Sequence, residues 1–199
     1  NHTIYVSEGI YKCIDSKYMT GEILLAFIKH FALISEQQAN NYFGSARGNW
    51  ATYATAGVYN FLARFPEIDL HDTWLEMVRE ENRRVLLGAT FEDGMCLEQP
   101  LNYVETILNT FSIPLSTTKV TGEQSPYDDD LMDEIYNILM TLANCRGPYY
   151  SFNQADGVGP YDTDRVYSKM KTWYDYGLFD DPHLTYLATK GAKGALPDN

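Results

Sequence analysis

Apolar residues return along this chain every three or four positions, and no segment alternates as a strand would. From Thr20 to Ser35, the residues Leu24, Phe27, Ile28, Phe31 and Ile34 fall on one face, which predicts a packed helix. The next stripe is stronger. Trp50, Tyr53, Ala54, Gly57, Val58, Phe61, Leu62 and Phe65 run unbroken to Pro66, so this helix is expected to be deeply packed, with Trp50 in the core. A third helix is expected to open near Asp72 on a capping box, Thr73-Trp74-Leu75-Glu76, and to pass through Met77, Val78 and Val85 to about Leu87. Glu92-Asp93-Gly94 turns the chain, and Pro100 suits the first turn of a fourth helix carrying Leu101, Val104, Ile107, Leu108 and Phe111. Ser125-Pro126 and then Asp128, Asp129 and Asp130 open a fifth, with Leu131, Ile135, Ile138, Leu139 and Leu142 as its stripe and Gly147-Pro148 as its stop. After a loop over residues 151–160, a sixth is expected over Asp162–Tyr176.

Helices of this length with loops of moderate size stack as antiparallel hairpins, and three such hairpins account for the chain from Thr20 onward. The expected fold is therefore all-α. The hairpins are enough for part of an incomplete α/α toroid rather than a ring, and a closed helical bundle is the structural alternative. The length of 199 residues suits a single domain over 1–199. Residues 190–199 are small and polar and read as a flexible tail or linker. The first residue is Asn1, so a processed chain or a piece excised from a longer one is expected.

Composition narrows the partners. The net charge of −12 is uneven: residues 1–65 carry +1 and the remainder −13. Nucleic acid is a poor partner for such a chain, because phosphate binding needs a basic footprint. The same charge counts against a highly sulfated polymer unless the cleft itself is basic. No apolar run is long enough to span a membrane, and the first residues lack the pattern of a signal peptide. Cys13, Cys96 and Cys145 are too scattered for a zinc site or a disulfide framework and read as small buried residues. The three aspartates at 128–130 favour the positive end of a helix over a metal. No cofactor signature is present: there is no P-loop, no GxGxxG in a βαβ setting and no HExxH. The 16 tyrosines, each with an apolar ring and a polar tip, suit a cleft that meets sugar rings, although any one of them is more simply read as helix packing.

Two segments carry the candidate chemistry. Ser45-Ala46-Arg47-Gly48-Asn49-Trp50 heads one helix, and Asp93-Gly94-Met95-Cys96-Leu97-Glu98-Gln99-Pro100-Leu101-Asn102-Tyr103 heads another. Taken alone, Asn49 is a helix cap and Tyr103 a core residue. Taken together, the pattern Asn-Trp and then Asp-Gly-Met-x-x-Glu-x-x-x-x-Tyr resembles the helical domain of the heparinase II/III-like polysaccharide lyases. The resemblance covers roughly residues 20–160, with Phe152-Asn153-Gln154-Ala155-Asp156 as a weaker third match.

That family joins an incomplete α/α toroid to a β-sandwich region and cleaves uronic-acid polysaccharides by β-elimination. The resemblance implies that Asn49 offsets the charge of the substrate carboxylate and that Tyr103 exchanges protons with it. It implies substrate-binding roles for Arg47, Trp50, Asn102 and Glu98. It further implies a glycosaminoglycan or alginate-like substrate, a secreted or periplasmic location, and a β-sandwich region absent from this chain, which would hold only the central and later hairpins. Tyrosine has a pKa near 10, so a basic role at neutral pH needs a positive neighbour, for which Arg47 is the local candidate. Val104 stands where the family often has His, and His2, His30, His71 and His183 match no catalytic position. Two other readings stay open. One is a glycan-binding scaffold without chemistry; the other is a glycoside hydrolase on a related toroid, using Glu98 and Asp156.

Overall fold

The computed structural model describes residues 2–45, 47–69, 71–98, 101–144 and 163–196. Among these the chain is all-helical: α1 (His2–Lys12), α2 (Gly21–Tyr42), α3 (Asn49–Leu62), α4 (His71–Ala89), α5 (Leu101–Thr121), α6 (Asp129–Asn144), α7 (Thr163–Tyr176) and α8 (Pro182–Ala188). They form two compact units, residues 1–88 with 110–128, and residues 89–109 with 129–199. The division cuts α5 between Asn109 and Thr110.

The first unit is built around α3, which packs against α1 and α2. Every residue of α3 from Ala51 to Leu62 except Tyr53 is buried, so the predicted burial of this helix holds. Phe31, Val58, Tyr59, Phe61, Leu62, Phe65, Leu75 and Val78 form its apolar core. The seam between α3 and the second half of α5 is different in kind. Thr110 donates to Thr52 at 2.9 Å, Tyr59 shares a 2.8 Å bond with Thr118, and the buried Arg64 donates to Thr117 at 3.1 Å. Pairing rises in step along both helices, from 52 with 110 to 59 with 118, so the two run parallel. Asn60 lies at the centre of this network. It accepts from Arg64 and Thr117 and donates to the Ile4 carbonyl of α1 at 2.9 Å. Burial lowers the Arg64 pKa, opposed by the field of Glu8 and by Tyr11, over whose ring the guanidinium lies at 5.9 Å.

In the second unit α6 packs on α7 and α7 on α8. Leu131, Ile135, Ile138, Leu139 and Leu142 of α6 are all buried, as their spacing predicts. Trp173 is 1% exposed and makes an edge contact with Tyr176. Asp181 caps α8 by accepting from Leu184 N–H at 2.6 Å, with Pro182 in the first turn. The chain then folds back on α8, where Ala195 N–H meets the Pro182 carbonyl at 3.1 Å.

Several boundaries differ from the sequence reading. α1 was not anticipated, because its buried face mixes Thr3 and Ser7 with Ile4, and α8 was too short to show a period. Helix α4 begins at His71, so Thr73 and Glu76 lie inside the helix and form no capping box. Helix α5 continues ten residues beyond Phe111, through Pro114, which has no N–H to add to the helix ladder. Cys96 is buried, but Cys13 is exposed, because it follows the last turn of α1. Cys145, the Gly147-Pro148 stop, Pro100 and the segment 151–160 lie outside the described residues.

Candidate functional site

In the first unit, the approach to α3 is fixed by two glycines. Gly44 has a φ of +80°, and its N–H is bonded by both oxygens of Glu81, at 3.1 and 3.0 Å. Glu81 is 6% exposed and is itself gripped by Arg84, whose Nε donates at 2.8 Å. A carboxylate taken from water is stabilised this way by one charged partner and one backbone donor. Gly48 then takes the cap position of α3 with φ 78° and ψ −164°, a conformation essentially restricted to glycine, and no side chain caps the helix.

Asn49 is consequently not the cap residue its type suggested. It is the first residue of the helix, half-buried, and its carbonyl accepts from the Thr52 hydroxyl at 2.7 Å. Trp50 is 68% exposed, which corrects its expected place in the core. Side chains lean toward the start of a helix, so a first-turn residue covers ground beyond the helix end rather than the interior. Arg47 is exposed. Burial raises the phenol pKa of Tyr53, one turn further on.

The second unit holds the other motif. Ala89 to Glu98 form a tight loop closed by an isolated bridge between Thr90 and Cys96. Within it Phe91 N–H meets the Met95 carbonyl at 2.8 Å, Met95 N–H meets the Asp93 carboxylate at 3.0 Å, and Leu97 N–H meets the Ala89 carbonyl at 2.8 Å. Glu98 is exposed; Asn102 and Tyr103 are half-buried in the first turn of α5, directly before Val104, which is fully buried. The Asn102 carbonyl accepts from Thr106 at 2.8 Å. On the same helix Glu105 is buried and pairs with Lys169 of α7 at 3.0 Å, and that ammonium also reaches Asn109 at 2.9 Å. Tyr103 therefore stands at the rim of a helix tied down by charge two residues further in.

The structure thus groups Arg47, Asn49 and Trp50 at the start of α3, and Glu98, Asn102 and Tyr103 at the start of α5. Asp156 lies outside the described residues. His71 is packed, with Nδ1 2.9 Å from Asp72 and Nε2 3.6 Å from Glu123. Among the described residues no cluster of three or more His, Cys, Asp or Glu could hold a metal, and no helix is long and apolar enough to cross a membrane. Glu81 escaped the sequence reading because it lies in the run Glu80-Glu81-Asn82-Arg83-Arg84, which looks like a solvated face; the spacing of Glu81 and Arg84 was the available signal.

A sequence profile of the Heparinase II/III N-terminus family matches residues 7–186. The chain belongs to this family. A heparin-sulfate lyase of Bacteroides stercoris is 23% identical over 190 residues, which is 93% of this chain and 27% of that protein. Among solved structures, a heparinase III gene product superposes with a TM-score of 0.80 at 21% identity, covering 99% of this chain and 30% of its own. The heparan sulfate lyase HepC of Pedobacter heparinus gives 0.77 at 16% identity, covering 100% and 31%. The chain spans less than a third of the length of each. At these identities the likeness establishes the fold, and that fold is the expected all-α arrangement of hairpins from an α/α toroid.

Proposed function

We propose that this chain supplies two motif-bearing helices of a polysaccharide lyase that cleaves a uronic-acid-containing glycosaminoglycan by β-elimination. The observation that carries the reading is that, in a member of the heparinase II/III family, both motifs stand in the first turn of a helix with their key side chains only half-buried. The names of the relatives favour heparan sulfate as the polymer.

The chemistry explains the residue types. The C5 proton of a uronate is weakly acidic because its carboxylate is already charged. Asn49 donates to that carboxylate through its amide and stabilises the charge that develops as the proton leaves. Tyr103, as its phenolate, takes the C5 proton, the electron pair of the broken C5–H bond forms the C4=C5 double bond, the C4–O4 bond breaks, and the phenol so formed gives that proton to the departing O4. Arg47 draws the polyanion, Trp50 stacks on a sugar ring, and Asn102 and Glu98 orient it. Such a polymer is met outside the cytoplasm, so the protein acts in the periplasm or after secretion. The β-sandwich region of the family is the partner this chain works with.

The test is to incubate the complete protein and its Tyr103→Phe variant with heparan sulfate, heparin, chondroitin sulfate, hyaluronan and alginate, following the ultraviolet absorbance of the unsaturated uronate. Absorbance should grow with the wild type and be lost in the variant at unchanged melting temperature. Retained sugar binding with no absorbance on any polymer would instead support the scaffold reading, which the −12 charge and the absence of a motif histidine favour.

A further inference from the structure

The loop that leads into the tyrosine helix is held from outside by one face of α6. Asn137 Nδ2 donates to the Glu92 carbonyl at 3.0 Å, and the Thr141 hydroxyl donates to the Asp93 carbonyl. The two residues are four apart on a helix and so lie one above the other. Gly94, with φ +77°, is seated against them so closely that a Cβ there would stand 2.7 Å from Thr141 Oγ1 and 2.8 Å from the Asn137 carbonyl oxygen. Two successive loop carbonyls are thus fixed by side chains, and the glycine between the loop and the helix leaves no room for slip. The loop's own bonds, from Phe91 to Met95 and from Leu97 back to Ala89, carry that anchoring as far as Leu97, six residues before Tyr103.

We propose that Asn137 and Thr141 are positioning residues for Tyr103, setting where the first turn of α5 presents the phenol. The proposal rests on the catalytic reading of Tyr103. Both bonds lie at the exposed edge of the unit, so their loss frees the loop without dismantling the core. Neither side chain looked functional in the sequence, where Asn137 and Thr141 are the polar positions beside the stripe of α6.

The experiment compares Asn137→Ala, Thr141→Val, the double variant and the conservative Thr141→Ser in the complete protein, on heparan sulfate. The single variants should lose about tenfold in kcat and the double about a hundredfold, with KM within about twofold, the signature of a reacting group misplaced by a fraction of an ångström. Thr141→Ser should recover most of the rate. Hydrogen exchange of the peptide 91–98 should accelerate in the Ala and Val variants and not in Ser, while exchange of α6 stays unchanged. A double variant with wild-type kcat, beside an inactive Tyr103→Phe, overturns the proposal and leaves the lyase reading standing. A wild type that makes no unsaturated product sinks the lyase reading itself; exchange of 91–98 then decides the anchoring alone, and unchanged exchange overturns that too.

Discussion

Gly48 controls how the first motif enters its helix. Its φ of 78° and ψ of −164° place it where a Cβ is penalised, and the strain of a non-glycine residue there is of order 1–3 kcal/mol. Gly48→Ala should therefore lower the thermal midpoint by several degrees and cut kcat more than the stability loss explains, because the turn delivers Asn49 and Trp50 together. A second residue-scale prediction concerns alkaline pH. Tyr127 is 6% exposed, its hydroxyl has no partner among the described residues, and burial holds its pKa well above the ordinary value. Burial likewise raises Tyr59. A pKa raised on folding means stability that is complete below the unfolded value of about 10 and is lost as pH rises from there toward the folded one. Tyr127→Phe should leave urea stability at pH 7 equal or slightly higher, since it removes an unsatisfied hydroxyl, and should flatten its decline above about pH 10. An unaltered decline would show that Tyr127 is not the group responsible.

At the scale of elements, the strongest apolar stripes were legible and the polar seams were not. Helices α3 and α6 follow from spacing alone, because each carries a run of large apolar residues at helical intervals, Val58, Phe61 and Leu62 in α3 and Leu131, Ile135, Ile138, Leu139 and Leu142 in α6. The seam of α3 with α5 consists of Thr52, Asn60, Thr110 and Thr117, all 2% exposed or less. Polar letters read as surface, so the second half of α5 was invisible. The candidate residues were legible through their motifs; the side chains that hold those motifs, Glu81, Asn137 and Thr141, were not, since such pairings are made by the tertiary fold rather than by local pattern. The seam also yields a prediction. Asn60→Ala removes a buried amide that Arg64, Thr117 and the Ile4 carbonyl all bond, and should cost about 3 kcal/mol in a denaturant titration. Asn60→Asp, which keeps the acceptor, should cost less.

At the scale of the whole molecule, charge sets a condition on encounter. A chain of net charge −12 meeting an anionic polysaccharide is repelled at long range. Raising salt from about 0.01 M to about 0.15 M shortens the screening length from roughly 30 Å to roughly 8 Å, so association of this chain with a heparan sulfate oligosaccharide should speed up over that range. Association that slows with salt would locate a basic surface strong enough to overrule the net charge, with Arg47 the first residue to mutate.

The two compact units are interleaved along the chain. The polypeptide passes from one to the other after Gly88, after Asn109 and after Asp128, so no single cut in the gene releases either as a contiguous product. A crossover with a related gene at any one point leaves at least one unit with residues from both parents. Inheritance therefore handles the two motifs as a package: Asn49 and Tyr103 sit in different units, yet a hybrid that exchanges one motif by a single crossover must also carry a mixed core, and sequence drift in one unit is screened by folding of the same continuous chain as drift in the other.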